Sequence, residues 1–404
     1  MKAKYLLNLG RMAAIALGAG YALSASAGTP SFATQQTFAT GSFPYAVSAK
    51  DLNGDGVADL VVSNDGDGTV SVLLNTTPTN ASSPTFAAQA VFQVGAYPES
   101  ITIADVNGDG LPDIITANSS DNTITVLLNT TAPLAATPSF AAPQVIPVGM
   151  FPEAVMAADV NGDGSPDLVV GNYQDGTIMV LLNATTTGSA TVDFSNLTTF
   201  VTAGSPFKLV AADMNGDGLP DITAVNYGYN TITVMLNTTT PGATTPTFTD
   251  PQYFDVGGMG DAISVTTVDL NGDGMMDVAV DDQAANTVQV LVNTTTPGDT
   301  VASFGAPQSF AVGAGPMSVM AMDVDGDGVL DLVTPNNSDN TVSVLHNTTV
   351  AGSATVSFDP QLVLAVGNGP QRLTKADVNG DGKPDLIVTN NMDLSISVLL
   401  NTTP

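Results

Sequence analysis

The sequence predicts an all-β protein, a seven-bladed β-propeller of four-stranded blades whose ring is closed when an N-terminal strand joins the last blade. Three observations lead there. A nine-residue acidic stretch, first met as Asp51-Leu52-Asn53-Gly54-Asp55-Gly56-Val57-Ala58-Asp59, recurs at Asp105, Asp159, Asp213, Asp269, Asp323 and Asp377, at a step of 54 residues with one step of 56. Each period is filled by short strand-like segments, and none has helical periodicity. The last copy ends soon after its third strand, Ser395 to Asn401, while an extra strand-like segment at 32–40 precedes the first copy. One such unit cannot bury its own apolar face, so the units must stack. Closing the stack into a ring hides strand edges that would otherwise pair with other chains.

Residues 1–27 read as a secretory signal peptide. Lys2, Lys4 and Arg11 form the positive region, Met12 to Leu23 the apolar core, and Ala25-Ser26-Ala27 a small-residue cleavage site before Gly28. Residues 28–404 are then expected to form a single propeller domain. No later segment reaches the run of roughly 18 apolar residues that a membrane span wants, so the mature chain is expected to lack an integral membrane segment. The expected location is secreted, periplasmic or cell-surface.

In the first unit, strands are expected at about 32–40, 46–50, 59–63 and 69–74. The third strand of the second unit alternates with period two, Ile124, Val126 and Leu128 opposing Thr123, Thr125 and Leu127. The first strand of each unit is small and apolar, as in Ser48-Ala49-Lys50 and Met156-Ala157-Ala158, which suits a crowded position near a propeller axis. The third strand closes in Leu74-Asn75-Thr76-Thr77 and close variants. These Asn-x-Thr triplets match a glycosylation acceptor, but their identical place before a Pro/Thr/Ser-rich connection favours a repeated turn.

The chain carries 38 acidic and 8 basic residues, a formal net charge of −30, and no cysteine. Nucleic acid is excluded as a partner, because neutralising phosphates needs basic clusters. Disulfides and thiolate chemistry are absent. More than half of the 38 acidic residues stand in the repeated loops.

Those loops have the chemistry of a hard-cation site. Oxygen-bearing residues alternate along a tight turn, and glycine at position 6 allows the backbone bend. The first loop offers Asp51, Asn53, Asp55, the carbonyl of Val57 and Asp59; the second Asp105, Asn107, Asp109, Leu111 and Asp113; the third Asp159, Asn161, Asp163, Ser165 and Asp167. The fourth offers Asp213, Asn215, Asp217, Leu219 and Asp221, and the fifth Asp269, Asn271, Asp273, Met275 and Asp277. The sixth has Asp323, Asp325, Asp327, Val329 and Asp331, and the seventh Asp377, Asn379, Asp381, Lys383 and Asp385. Calcium is the expected cofactor, up to seven ions. The loop departs from an EF-hand after position 9: position 12 is non-acidic and the flanks are strands, so the ninth residue takes the closing role.

Phe92-Gln93-Val94-Gly95, Pro98, Ile103 to Gly110 and Asp113-Ile114-Ile115 together resemble the FG-GAP repeat, called the VCBS-type repeat in bacterial proteins. They are also similar to the calcium-loop-bearing blades of the integrin alpha-chain propeller. The resemblance covers essentially the whole of residues 28–404. It implies a seven-bladed propeller with calcium between the first and second strands, and little about activity, since related repeats occur in adhesins, lectin-like proteins and polysaccharide-degrading enzymes. The fifth unit departs at one place: Ala262, after Asp261, replaces the proline found as Pro44, Pro98, Pro152, Pro206, Pro316 and Pro370.

No catalytic residue is assigned. His346 is the single histidine, at a third-strand end, so no histidine triad can be built. Glu99, Glu153, Asp261 and Asp282 are the acids outside the loops that approach the inner strands. Aromatic residues collect in the loops opposite the metal face, on the first four units: Phe43, Tyr45, Tyr97, Phe151, Tyr173, Phe207, Tyr227 and Tyr229. With Glu99 and Glu153 they form the expected ligand-binding face, since such rings offer apolar area with a polar handle. The function expected is a secreted calcium-binding propeller acting as an adhesion or recognition module for a surface protein or glycan. The alternatives are an extracellular polysaccharide lyase or glycoside hydrolase, and a structural surface protein.

Overall fold

A computed structural model describes residues 28–404 except Ala203 and Met259, so the leader read at residues 1–27 lies outside the described residues. Among the described residues the strands form seven four-stranded antiparallel sheets. Blade 1 comprises Pro44–Lys50, Asp59–Asn64, Thr69–Leu73 and Ala90–Gln93, innermost to outermost. Blade 7 takes three strands from the C-terminus, Pro370–Ala376, Asp385–Asn390 and Ser395–Leu399, and its outer strand, Gln36–Ala39, from the N-terminus. That outer strand pairs antiparallel with Ser395–Leu399, from Gln36 opposite Val398 to Ala39 opposite Ser395. The ring closes as the sequence leads one to expect, and the first strands of successive blades pack around the axis.

The second and third strands are buried on both faces, because every sheet is sandwiched between two neighbours. Leu52, Val61, Val70, Val72 and Leu74 of blade 1 pack on Ile114 and Leu127 of blade 2. Near the outer edge, edge-to-face phenylalanine pairs join successive blades, as in Phe92 with Phe140 at 4.9 Å and Phe310 with Phe358 at 4.8 Å. The alternation of Thr123 and Thr125 with Ile124 and Val126 therefore does not mark a wet face. Thr125 is buried, and its hydroxyl accepts from the amide of buried Asn118 at 2.9 Å. Asn118 in turn lies against Gly95, where a Cβ would come within 2.6 Å of the amide carbon. Gly41 over Asn64 and Gly149 over Asn172 repeat the contact.

The Asn-x-Thr triplets are structural. Asn75 takes a turn in which its Oδ1 accepts from the Thr77 amide at 2.8 Å, while its Nδ2 donates to the carbonyl of Val378 in the preceding blade at 2.9 Å. Asn129, Asn183, Asn237, Asn293, Asn347 and Asn401 make the same bond to Leu52, Val106, Val160, Met214, Leu270 and Val324. All seven asparagines are buried, so their amides serve as staples between blades.

Inner strands enter with a bulge just after the proline. Register shifts between Pro98 and Ser100, Pro152 and Ala154, and Pro206 and Lys208, which leaves Glu99, Glu153 and Phe207 as the unpaired extra residues. A wider irregularity covers Tyr45 in blade 1 and both Gln371 and Arg372 in blade 7. Bulges of this kind re-aim side chains away from the ladder.

Candidate functional site

Two places carry chemistry, at opposite ends of the inner strands. At one end are the acidic loops. In the first, Asp51 accepts from the amides of Gly54 at 2.7 Å and Gly56 at 2.8 Å, Asn53 Oδ1 from that of Asp55 at 3.1 Å, and Asp55 from that of Val57 at 3.0 Å. Gly54 and Gly56 sit at φ +71° and +89°, the left-handed region that glycine adopts without steric penalty. Asp59 is fully buried: one oxygen accepts from the Leu52 amide at 2.9 Å and the other from the Asn75 amide at 2.8 Å. The other six loops keep the bonds from the position-9 carboxylate to the position-2 amide and from position 1 to the position-6 glycine.

These loops fit a divalent cation by their donor set. A carboxylate oxygen that accepts one N–H still has a lone pair to offer, so the network pre-positions oxygens without exhausting them. Burial, opposed by two backbone hydrogen bonds and reinforced by neighbouring loop carboxylates, raises Asp59, Asp167, Asp221, Asp277 and Asp385 to about 6 and Asp113 and Asp331 to about 7. Like charges held together in this way are the arrangement a bound cation relieves. Among the described residues, the groups that bring three carboxylate or imidazole ligand atoms within 4.8 Å of one another both lie in blade 6: Asp323 with Asp325 and Asp331, and Asp325 with Asp327 and His346.

At the other end is the channel mouth. A cavity of about 210 Å³ on the axis is lined from six of the seven blades and includes Glu99, Lys208, Ser264, Ser318 and Arg372. The Arg372 guanidinium donates to the Tyr45 hydroxyl at 3.0 Å and to the Met317 carbonyl, and lies 4.9 Å from the Tyr45 ring centroid and 5.9 Å from that of Phe207. Burial, with the Arg372 charge behind it, lowers Lys208 to about 8. Burial also holds Asp65, Glu99 and Glu153 well above the usual carboxylate range; the Glu99 charge adds to this at Asp65 and Glu153, and Arg372 opposes it at all three.

Among the described residues no carboxylate lies within 4 Å of Arg372 or Lys208, and the side chains of Glu99, Glu153 and Lys208 make no hydrogen bond. Asp65 Oδ1 and Gln371 Oε1 are buried without a partner. Glu99, Glu153 and Lys208 are half-buried, so their polar atoms are within reach of solvent or of a ligand's polar groups at the mouth.

Aromatic residues extend the mouth outward. Tyr173, Phe207 and Tyr227 form a cluster with centroids 5.5–6.2 Å apart. Phe43, Tyr97 and Phe151 stand on the entry loops of blades 1 to 3 with 53%, 53% and 40% exposure, at φ +53°, +55° and +52°. Blades 6 and 7 place Gly315 and Gly369 there, at φ +69° and +67°. Three bulky rings thus hold a conformation that suits glycine and are displayed to solvent.

The expected ligand face is thus divided. Tyr45, Glu99, Glu153 and Phe207 form the mouth, Tyr173 and Tyr227 adjoin Phe207, the three strained rings make an outer arc, and Tyr229 is exposed on its own turn. Asp282 is fully buried, at the strand-end position that Asn64 and Asn118 hold in their blades. Sequence reasoning missed Asp65, Lys208 and Arg372. The available signal was that Lys208 and Arg372 both stand two residues after the entry proline in a chain with only 8 basic residues.

Comparison with known proteins follows the repeat. A family model described as FG-GAP-like repeat matches residues 51–116, 105–170, 159–224 and 213–280, and one described as FG-GAP repeat matches 369–395. No curated protein matches the chain. Among solved structures, BBS1N in complex with ARL6DN is 12% identical with a TM-score of 0.58, over 94% of this chain and 98% of that one. A catalytically inactive virginiamycin B lyase from Staphylococcus aureus with quinupristin is 11% identical with a TM-score of 0.54, over 91% of this chain and 99% of that one. At such identities the likeness is one of fold alone. With the family model spanning more than half of its length, the chain belongs to the FG-GAP-like repeat family.

Proposed function

We propose that this protein is a secreted, calcium-stabilised propeller that acts as a recognition or adhesion module for a surface protein or glycan, and that it binds through the channel mouth and the aromatic arc. The observation that carries the reading is the display of Phe43, Tyr97 and Phe151 in the left-handed region. Backbone strain of this kind persists where function requires the side chain. The loops on the opposite face would hold calcium through the carboxylates, the position-3 oxygens and the position-7 carbonyls, and so rigidify the ends of the inner strands. Tyr173, Phe207 and Tyr227 supply apolar area, while Glu99 and Glu153 supply acceptors for hydroxyl or cationic groups.

A second reading, an enzyme acting on a polysaccharide, is favoured by one observation. Glu99 and Lys208 line one cavity and are shifted toward neutral pH, as acid–base groups are, and Glu153, whose pKa the Glu99 charge helps to raise, is shifted the same way.

A screen of the purified protein against glycans and surface proteins, with calcium and after chelation, tests both. Binding that is lost in the Tyr173→Ala, Tyr227→Ala, Tyr229→Ala variant, with its melting temperature retained, supports recognition at this face. Cleavage of a bound polysaccharide that Glu99→Gln and Glu153→Gln abolish while binding remains would replace that reading with the enzyme. Folded, calcium-loaded protein that binds nothing would favour a structural role.

A further inference from the structure

Blade 6 departs from the other six at three positions, and the three departures meet in space. Position 3 of its loop is Asp325, where the others have Asn53, Asn107, Asn161, Asn215, Asn271 and Asn379. The residue before its Asn-x-Thr turn is His346, where the others have leucine or valine, as in Leu74 and Val292. The residue after its outer phenylalanine is Asp359, where the others have Ala33, Ala87, Ala141, Ser195, Thr249 and Gly305. His346 Nε2 lies 3.0 Å from Asp325 Oδ2, and its Nδ1 lies 2.9 Å from Asp359 Oδ2. Six sister blades thus act as an internal control in which none of the three residues occurs.

A neutral imidazole has one N–H and one lone pair, yet both ring nitrogens here face carboxylate oxygens. A protonated ring would donate to both; a neutral ring donates from one nitrogen and turns the lone pair of the other toward a carboxylate, an arrangement that a cation bound between them satisfies. The ligand atoms of Asp325, Asp327 and His346 lie within 4.8 Å of one another, close enough to converge on one ion at the roughly 2.0–2.2 Å distances of a transition-metal site. The Asp325 side chain is fully buried and that of His346 is 20% exposed, so the cluster sits at the edge of solvent where an ion can enter.

We propose that blade 6 carries a distinct site for a borderline transition-metal ion of the zinc class, held by His346 Nε2 and the carboxylates of Asp325 and Asp327. Asp359 accepts the Nδ1 proton and so fixes the tautomer that leaves Nε2 free to ligate, the usual outer partner of a metal-bound histidine. Imidazole nitrogen favours zinc, nickel, cobalt or copper over calcium, whereas the six all-oxygen loops favour a hard ion. The site therefore differs in kind from the calcium loops proposed above and shares one loop with them.

Calorimetric titration of Zn²⁺ and Co²⁺ into tag-free protein tests it. The expected result is one high-affinity zinc-class equivalent per chain, a Co²⁺ absorption band showing nitrogen ligation, and a metal-dependent shift of the single imidazole in NMR spectra. His346→Leu installs the residue of the sister blades, so the fold should hold, and the site should vanish. Asp359→Ala should weaken binding by about 10–100-fold, and Asp325→Asn should also abolish the site. Zinc binding that is absent, or unchanged in His346→Leu, overturns the proposal. The calcium reading is judged separately, by thermal protection by calcium of the His346→Leu variant, in which the residues of all seven acidic loops are unchanged.

Discussion

The side-chain amide of Asn129 donates to the backbone carbonyl of Leu52 at 2.9 Å, tying blade 2 to the second residue of the acidic loop of blade 1. The Asn129 backbone amide also donates to Asp113 at 2.8 Å, so one residue links the loop of its own blade to that of the blade before. Loop and ring are thereby mechanically joined. Asn129→Ala removes the donor and leaves the buried carbonyl of Leu52 and the half-buried carbonyl of Pro112 without this partner, a loss of about 1–3 kcal/mol. Denaturant unfolding should show a lower midpoint with an unchanged slope; an unchanged midpoint would refute the staple.

Gly95→Ala should cost more than an ordinary surface change. The added methyl would come within 2.6 Å of the Asn118 amide carbon, backbone against a buried hydrogen-bonded side chain. We expect about 1–3 kcal/mol of destabilisation from overpacking, measured by chemical denaturation. A variant as stable as the parent would mean that Asn118 moves freely.

The arc residues should show the opposite trade. Replacing Phe43, Tyr97 and Phe151 together by glycine relieves three left-handed conformations, each strained by roughly 1–2 kcal/mol for a residue with a Cβ. The melting temperature should stay level or rise while binding to the partner falls. A fall in melting temperature of several degrees would assign these rings to stability.

Calcium should protect the fold by mass action. Each loop saturated at a hundredfold excess over its dissociation constant adds about 2.7 kcal/mol if only the folded chain binds. Chelation should therefore lower the melting temperature, and calcium should restore it in a concentration-dependent way. Identical melting curves in both conditions would remove calcium from the account.

The pH dependence follows from carboxyls whose folded values lie above their unfolded ones. Asp65, Glu99 and Glu153 at the mouth are all raised, burial being the first cause, and the position-9 loop carboxyls reach about 6 to 7. A group raised in this way binds its proton more tightly when folded, so its penalty is complete above the folded value and disappears as pH falls toward the unfolded value near 4. Calcium-free protein should thus gain stability on acidification from about pH 9 to pH 5. The Asp65→Asn, Glu99→Gln, Glu153→Gln variant should show a shallower slope in thermal melts; a parallel slope would place the titrating groups elsewhere.

Much of the molecule was legible in the sequence because repetition is a local signal. A fixed step of 54 residues, four short apolar segments per step and an orphan strand at 32–40 determined the blade count, the strand order and the N-terminal closure. The oxygen pattern from Asp51 to Asp59 likewise identified a cation loop, since its ligands are near neighbours in the chain. What lies across blades was decided only by closing the ring. Tyr45 and Arg372 are 327 residues apart and meet at 3.0 Å because blade 7 abuts blade 1. The alternation at Thr125 marked the two faces of a strand, but only the packing of sheets on both faces buried it and gave it Asn118 as a partner. His346 read as an isolated strand end, yet it lies between Asp325 and Asp359, neither of which is adjacent to it in sequence. Periodicity fixes which residues face inward on each sheet; only stacking the sheets in a circle decides which inward-facing groups meet.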